Sequence, residues 1–561
     1  MHHPEKTTGK RCLAPIDDAE ISSITQIFNS EQPNEFTMKS ESDAGNPDTL
    51  ATLILRSAQR WPDVESILIA DVRWTFDSLV KRLTEVAGML RANGLKRGDR
   101  IGLLLENSPE YLELVLGATL IGVVPVLFNE VTRGDQLQML LGSLNLKMLF
   151  ASRAENMDLD TIVSGSDPRI IWIGEEAPDA QPTYCALMAA ESNFSHGDIA
   201  NEAAGLRPED PLVLLFTSAV TTGVPKSCVL SNQDVLSTIS HFIGRIELQA
   251  GSRIWIPLHM FQVGFLAPLA AAFAIGATVV TSRKFEPVAA LNLIALEKVT
   301  HAYPVYPSSW LPVIYSLDFF PSDFPALTHV VLLGPPTLLR RVQRLLPHCS
   351  VVNTYGGAEH CGGMCMPFAN DPAEIRLGAV GRPYSNYKVR IVDMKTMEIC
   401  APGEIGEIQI LLPSGPRKND TSGSSYTSDG WLQTSDLGSM TTQGVMYFHG
   451  RFSEILNIGG HHFSCARIEA ILSEHPAVCV AQVIAVDDPQ MGQFSAAFVE
   501  LRPGYSTTGS ELLDTCKNAL DETQIPRTIT FVNDWPMSAS KIQKHLLIKM
   551  MASSSGELPA S

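Results

Sequence analysis

Residues 215–232 read LFTSAVTTGVPKSCVLSN. An apolar run ends at Phe216, and Thr217, Ser218, Thr221, Thr222, Gly223, Pro225 and Lys226 follow it. A strand running into hydroxyls and a lysine has the composition of a phosphate site, because N–H, O–H and ammonium donors suit phosphate oxygens. A nucleotide P-loop, however, sets glycine directly before its lysine, five residues after an earlier glycine. Here Val224 and Pro225 separate Gly223 from Lys226, so that spacing fails. Taken alone, the stretch supports a nucleotide loop and an ordinary Thr/Ser-rich turn about equally.

The rest of the chain narrows the choice. It has 561 residues, 45% hydrophobic and 18% charged. That composition predicts a large core and argues against global disorder. The net charge of −18 disfavours nucleic acid or an anionic membrane as partner, since both select basic surfaces. A small anionic ligand remains compatible, because a few local donors can hold one. The ten cysteines show no disulfide-framework spacing, which points to a reducing compartment. His360, Cys361 and Cys365 lack a second ligand cluster, so zinc is not the reading. Residues 264–281 (GFLAPLAAAFAIGATVVT) are uncharged over nearly a membrane span, but Pro268 and Gly276 interrupt them. A buried helix leading into a buried strand is expected there.

From about residue 48, helical and strand patterns alternate. Residues 76–94 show helical spacing and end at a glycine stop. Strands are expected in IGLLLEN and GVVPVLFN and at 170–173, 212–216, 277–281 and 329–333, with a helix at 109–121. Strands separated by helices predict parallel α/β layers. From 385 the elements shorten into a β-rich region with strands at 387–393, 404–412 and 445–449. After Gly450-Arg451 an α+β unit is expected. It has helices near 466–474 and 510–521 and strands near 478–485 and 496–502. The predicted fold class is therefore α/β: a large N-terminal domain of layered sheets with a β-rich subdomain, plus a small mobile α+β domain. The expected boundaries are 1–45 flexible extension, 46–450 large domain, 451–453 hinge, 454–550 small domain and 551–561 tail. Residues 1–45 show no apolar signal-peptide core.

Several segments, in order, resemble the adenylate-forming superfamily of acyl-CoA synthetases, peptide-synthetase adenylation domains and luciferases. Aligned with that family's Thr-Ser-Gly-Thr-Thr-Gly-x-Pro-Lys-Gly loop, Thr221, Thr222, Gly223, Pro225 and Lys226 match. Ser218, Ala219 and Val220 fill the first three places, and Ser227 the last. NTYGGAE at 353–359 is similar to its Asn-x-Tyr-Gly-x-Thr-Glu segment, with Ala358 in place of threonine. GPPT at 334–337, GWLQTSDLG at 430–438, and the Gly403-Glu404 and Gly406-Glu407 pairs resemble further family segments. GRFSEILNIGGHHFSCARIE at 450–469 resembles the hinge and linker motif. PMSASKIQK at 536–544 resembles the C-terminal lysine motif with one residue deleted.

The resemblance implies roles. Ser218, Thr221, Thr222, Gly223 and Lys226 would hold phosphates, Gly334 and Tyr355 adenine, Asp436 the ribose diol, and Arg451 ribose or phosphates. Glu359 would be the Mg²⁺ ligand, since hard oxygen suits that cation. Lys541 would be the adenylation lysine, Ser453 the hinge, and Gly459-Gly460 the turn near the CoA tunnel. His259, Met260, Val263, Tyr306, Trp310, His360, Gly362 and Gly363 would line the acyl pocket.

The implied activity is ATP-dependent conversion of an acid to an acyl adenylate, then transfer to the thiol of CoA or a carrier-protein phosphopantetheine. The guest acid is expected to be apolar, aryl or polyketide-like. Two alternatives stand beside it: capture of the adenylate by an amine, or a descendant that handles an acyl ligand without ATP. The motivating departures are Val220, Ser227, Ala358, Ser435 and the shortened lysine motif. Val220 and Ser227 are expected to stiffen the loop, because a Cβ removes positive-φ freedom. A cytoplasmic location is expected, and the terminal Pro-Ala-Ser is no clear peroxisomal address.

Overall fold

The computed structural model describes residues 49–130, 132–152, 159, 168–174, 182–190, 194–216, 227–416, 425–458, 461–488, 491–538 and 541–555. The expected extension (1–45), the loop 217–226 and Gly459-Gly460 lie outside them.

Two parallel sheets form the large unit. One is ordered Ser350–Val352, His329–Leu332, His301–Val305, Arg253–Trp255, Thr278–Thr281, Glu65–Ile69, with Val72–Thr75 as an antiparallel edge. The other is ordered Arg169–Ile173, Leu146–Ser152, Arg100–Leu104, Val124–Leu127, Pro211–Phe216, with Ser227–Ser231 antiparallel at its edge. Side chains alternate across each sheet, as strand geometry demands. Ile254 and Val279 from the first sheet and Ile101 and Leu103 from the second enter one shared core. Trp255, Val280 and Val330 face a second cluster, and Leu104, Val126 and Leu149 a third. Helices Leu50–Arg60, Phe76–Ala92, Pro109–Leu120, Asn232–Arg245 and Val263–Ile275 supply the shared core between the sheets. The layered α/β expectation is met.

Local signals set the helix ends. Thr75 caps Phe76–Ala92 by accepting from the Ser78 N–H. Ser231 and Asp234 form a capping box that starts Asn232–Arg245, satisfying donors the first turn leaves open. Residues 264–281 behave as predicted. Helix Val263–Ile275 stops at left-handed Gly276, and strand Thr278–Thr281 follows. Among the described residues no helix is long and apolar enough to cross a membrane.

The β-rich region is a sheet of Lys388–Val392, Gly406–Leu411, Leu432–Met440, Ser425–Tyr426 and Met446–Arg451. From Ile455 the chain builds a separate core around Leu456, Ile468, Val483, Val499 and Leu512. Its strands Val478–Asp488 and Gly492–Leu501 run longer than expected. The basic segment after the lysine motif is a helix, Lys544–Ser555, so the first residues of the expected tail at 551–561 are helical.

Ser227 differs from expectation. It begins a strand and pairs with Phe216, and it is not among the positive-φ residues. An extended backbone accepts a Cβ, so serine there imposes no conformational restriction.

Candidate active site

Four consecutive strands of the first sheet deliver the site. After Arg253–Trp255 come Leu258, His259 and Met260. After His301–Val305 comes Tyr306. After His329–Leu332 comes Gly334, and after Ser350–Val352 come Asn353 and Tyr355. All lie beyond the carboxyl ends of parallel strands, where open α/β sheets bind ligands. Four segments up to 100 residues apart thus converge, which no local pattern reveals.

Tyr355 lies against His360, with ring centroids 5.8 Å apart, and against Phe448 at 5.6 Å. Its hydroxyl donates to Asp436 Oδ2 at 2.7 Å. Burial raises the Tyr355 pKa, and the Asp436 carboxylate raises it further. The Gly356 position requires glycine: a Cβ there would sit 1.5 Å from the Gly362 carbonyl oxygen. Glu359 lies in a one-turn 3₁₀ segment, Ala358–His360. The Cys228 thiol contacts the Ala358 carbonyl at 3.7 Å. The strand leaving the phosphate-loop segment therefore abuts the Glu359 turn.

Asp436 sits in strand Leu432–Met440, where its register with Gly406–Leu411 slips between Glu407 and Gln409. Ser435, one residue earlier, holds φ +57°. This bulge is tied down by Thr434, whose hydroxyl donates to the Ile408 carbonyl at 2.7 Å, and by the Ser435 N–H donating to Glu407 at 3.1 Å. Bulges re-aim side chains near active sites, and this one turns Asp436 inward. Burial raises the Asp436 pKa, opposed by Arg451 and the Tyr355 hydroxyl. Arg451 Nε lies 3.2 Å from Oδ1, yet Oδ1 is buried without an aligned hydrogen-bond donor. An acceptor-only oxygen left open in this way fits a ribose hydroxyl.

Lys541 reaches the same site from the small unit. Ser538 pairs with Lys541 in a short antiparallel ladder, leaving only residues 539 and 540 between them. The Lys541 ammonium lies 5.5 Å from the centre of the Tyr306 ring. Tyr306 follows Val305, a β-branched residue at φ +59°, and its N–H donates to the Pro304 carbonyl at 2.6 Å. A three-residue turn of this hand is rare and strained, and such strain gathers at functional sites.

The remaining expected residues divide. Met260 is fixed by its N–H donating to Asn107 Oδ1 at 2.8 Å, while Asn107 donates to the Leu258 carbonyl at 2.9 Å. His259 pairs with Glu130 at 3.2 Å. Val263 lies near Gly362, within 4 Å of where a Cβ there would stand. Gly363 lies beside Thr354 and Tyr384 by the same measure. Gly334 accepts from Asn353 at 3.4 Å. Trp310 is not brought to the pocket: it turns into the second cluster against Trp255, 1% exposed. Its helix, Pro307–Ile314, presents that face to the opposite side of the sheet. Ser453 is exposed in the 3₁₀ turn Phe452–Glu454. Ser218, Thr221, Thr222, Gly223 and Lys226 lie outside the described residues.

Four residues that contribute had no sequence signal of their own. Asn107 clamps the Leu258–Met260 turn. Glu454 lies 3.6 Å and Glu469 2.8 Å from the half-buried Lys544 ammonium, tying the hinge turn to the terminal helix. Arg341 reaches from Pro336–Leu345 to carbonyls of the small unit.

The donor set fits a nucleotide and a divalent cation. Glu359 would be the protein ligand of Mg²⁺, which is usually held by one or two carboxylates plus substrate phosphates. Among the described residues no cluster of three or more His, Cys, Asp or Glu side chains could hold an ion. Cys361 and Cys365 are buried and form no disulfide.

Comparison with known proteins agrees with this geometry. The chain is 28% identical over 544 residues to the medium-chain acyl-CoA ligase ACSF2, mitochondrial, of Rattus norvegicus, covering 90% of this chain and 87% of that one. It is 26% identical over 533 residues to the putative acyl-CoA synthetase YngI of Bacillus subtilis, covering 89% and 96%. The fold matches the anthranilate CoA ligase AuaEII in complex with anthranoyl-AMP at TM-score 0.79 and 20% identity, covering 91% and 98%. It matches a benzoate CoA ligase from Burkholderia xenovorans at TM-score 0.77 and 20% identity, covering 89% and 99%. The model of the AMP-binding enzyme C-terminal domain matches residues 467–541, and the AMP-binding enzyme model matches residues 54–414: the chain belongs to the AMP-binding enzyme family.

Proposed function

We propose that the protein is an AMP-forming acid–CoA ligase that activates a small carboxylic acid with ATP and passes the acyl group to CoA. The observation that carries this reading is the convergence of Tyr355, Asp436, Arg451 and Lys541, from two separately cored parts of the chain, at the carboxyl ends of the first sheet. The relatives are acyl-CoA ligases and synthetases by name.

Both half-reactions need charge stabilisation more than a protein nucleophile. Asp436 orients the ribose through its open Oδ1. Tyr355 offers a ring for adenine, and Arg451 brings positive charge beside both. Lys541 places its ammonium where the acid carboxylate meets the α-phosphate. Mg²⁺, when bound at Glu359, neutralises phosphate charge. Lys226 and the hydroxyls of Ser218, Thr221 and Thr222 are proposed to close over the phosphates from the adjoining strand pair. Rotation about Ser453 would withdraw Lys541 and present residues 459–460 for the thiol step, so one site serves two reactions. The domain boundaries read from sequence, with the hinge at 451–453, belong to this proposal. A cytoplasmic location is proposed with it, since the described cysteines form no disulfide with one another.

The test is acid-dependent pyrophosphate release with ATP, Mg²⁺, CoA and an acid panel. Release with at least one acid, and acyl-CoA as product, supports the reading. No release with any acid, together with no ATP binding by calorimetry, refutes it.

A further inference from the structure

Arg245 ends helix Asn232–Arg245 and is only 6% exposed. Arginine is almost never buried this far unless paired. Here its Nη1 is buried without a hydrogen-bond partner. A nearby carboxylate, Asp371, is engaged elsewhere: Arg382 approaches it at 3.3 Å, and it accepts from the Phe368 N–H at 2.8 Å. What Arg245 does have is aromatic. Its guanidinium lies 3.8 Å from the centre of Phe368 and 5.8 Å from that of Tyr384. Tyr384 is fully buried and its hydroxyl also lacks a partner. Two buried donors, side by side and unsatisfied, call for an acceptor.

Their position relates them to the reacting centre. Lys541 stands over Tyr306. The Tyr303 hydroxyl lies within electrostatic reach of those of Tyr306 and Tyr384, and Tyr384 neighbours Arg245. The Tyr384 hydroxyl is also 3.9 Å from where a Cβ on Gly363 would stand, four residues past Glu359. Tyr303 and Tyr306 thus share one strand and the turn that ends it, on which Lys541 stands, and Tyr384 stands beside the unpaired Arg245. Burial lowers the Arg245 pKa from its ordinary value, consistent with a charge that lacks its counter-ion.

We propose that Arg245 and the Tyr384 hydroxyl form the far end of the acyl pocket and bind a second carboxylate, so that the preferred substrate is a dicarboxylic acid. This rests on the ligase reading above, with Lys541 at the reacting carboxylate. Three rings separate the two ends, so the chain between the carboxylates must be of medium length. A guanidinium accepts a carboxylate through two parallel N–H donors, and the tyrosine supplies a third. The aromatic contact with Phe368 alone replaces little of the hydration that burial removes.

The experiment measures pyrophosphate release by the full chain with ATP, Mg²⁺ and CoA. Adipic, suberic and sebacic acids are compared with hexanoic, octanoic and decanoic acids. The wild type should favour a dicarboxylic acid over its monocarboxylic match by at least about tenfold in kcat/KM. Arg245→Met should shift that ratio by about 100-fold toward the monocarboxylic acid. The shift should appear mainly in KM, because Arg245 is remote from the reacting carbon. Arg245→Lys, which keeps the charge and the fold more gently, should give an intermediate ratio. A wild-type preference for the monocarboxylic acid at every length overturns the proposal. So does an equal loss for both acids in the variants, which marks a purely structural arginine. No release with any acid overturns the ligase reading itself and this proposal with it.

Discussion

Tyr355 donates its hydroxyl to Asp436 at 2.7 Å across 81 residues of sequence. The bond joins a strand end of the first sheet to the bulge of the β-rich region, so the proposed adenine and ribose contacts are set as one unit. Asp436→Asn replaces one acceptor oxygen with a donor. A hydrogen bond to a charged group is worth about 1.5–3 kcal/mol, so KM for ATP should rise by about 10–100-fold. Steady-state pyrophosphate assays read this directly. An unchanged KM removes Asp436 from the nucleotide site.

Lys541 acts, on this reading, in only one half-reaction. Lys541→Ala should reduce acyl-adenylate formation by about 100-fold or more, the scale lost with a single oxyanion-stabilising donor. Thioester formation from supplied acyl adenylate should persist near the wild-type rate. Equal loss of both steps contradicts the assignment.

The small unit is held against the large one by Arg341. Its guanidinium donates to the Ser473 and Val478 carbonyls, the latter at 3.3 Å. Arg502 donates to the same Val478 carbonyl at 3.1 Å and stacks on Tyr315 at 4.4 Å. Cys479 is buried within the second cluster of the large unit. Arg341→Ala should loosen the orientation that brings Lys541 to Tyr306. Adenylation should fall by about tenfold, since each charged hydrogen bond contributes about 1.5–3 kcal/mol. The thioester step should be spared or accelerated. Single-turnover assays of each half-reaction distinguish this from general destabilisation, which slows both.

His301 and His329 stack with ring centroids 4.6 Å apart at the opposite ends of their strands from the site. Burial, then the neighbouring His329, pushes the His301 pKa down to about 3. An unfolded histidine takes its proton near 6.5, about the ordinary value. Below that pH the unfolded chain binds more protons than the folded one. The contribution of His301 is therefore present above about pH 6.5 and is lost as pH falls toward 3. At pH 5 the loss is about 2 kcal/mol from this residue. His301→Gln should flatten the dependence of melting temperature on pH between 7 and 5. An unaltered slope assigns the acid sensitivity to other groups.

Ser435 occupies a left-handed conformation in which an L-residue with a Cβ is strained by roughly 1–2 kcal/mol. Ser435→Gly should relieve most of this, less the added freedom of the unfolded chain, for a net gain of up to about 1 kcal/mol. Chemical denaturation measures the gain. A loss of stability would mean that the serine side chain makes a compensating contact.

The alternation of helices and strands was legible because apolar spacing reports which face of each element is buried. The helix Phe76–Ala92, the pair formed by Val263–Ile275 and Thr278–Thr281, and the small α+β unit all follow from such spacing. The bulge at Ser435 was not legible. The GWLQTSDLG stretch has the texture of a turn, and only pairing with Gly406–Leu411 makes it a strand. Trp310 was misplaced for a related reason. Being near Tyr306 in sequence says nothing about which side of the sheet a helical residue faces.

The sequence by itself determined the chemical inventory: a hydroxyl-rich loop with Lys226, an Asn-x-Tyr segment ending in Glu359, an aspartate in Asp436, and a lysine motif at Lys541. Those groups are encoded locally, as residue types at short spacing. Only the tertiary structure decided which of them meet. The order of strands in the first sheet brings 258–260, 306, 334 and 353–355 to one edge. The packing of the small unit adds Lys541, and the shared core leaves Arg245 buried without a counter-ion. The physical reason is that side-chain partnership depends on sheet order and domain docking, which are set by burial summed over the whole chain. No stretch as short as LFTSAVTTGVPKSCVLSN contains that sum.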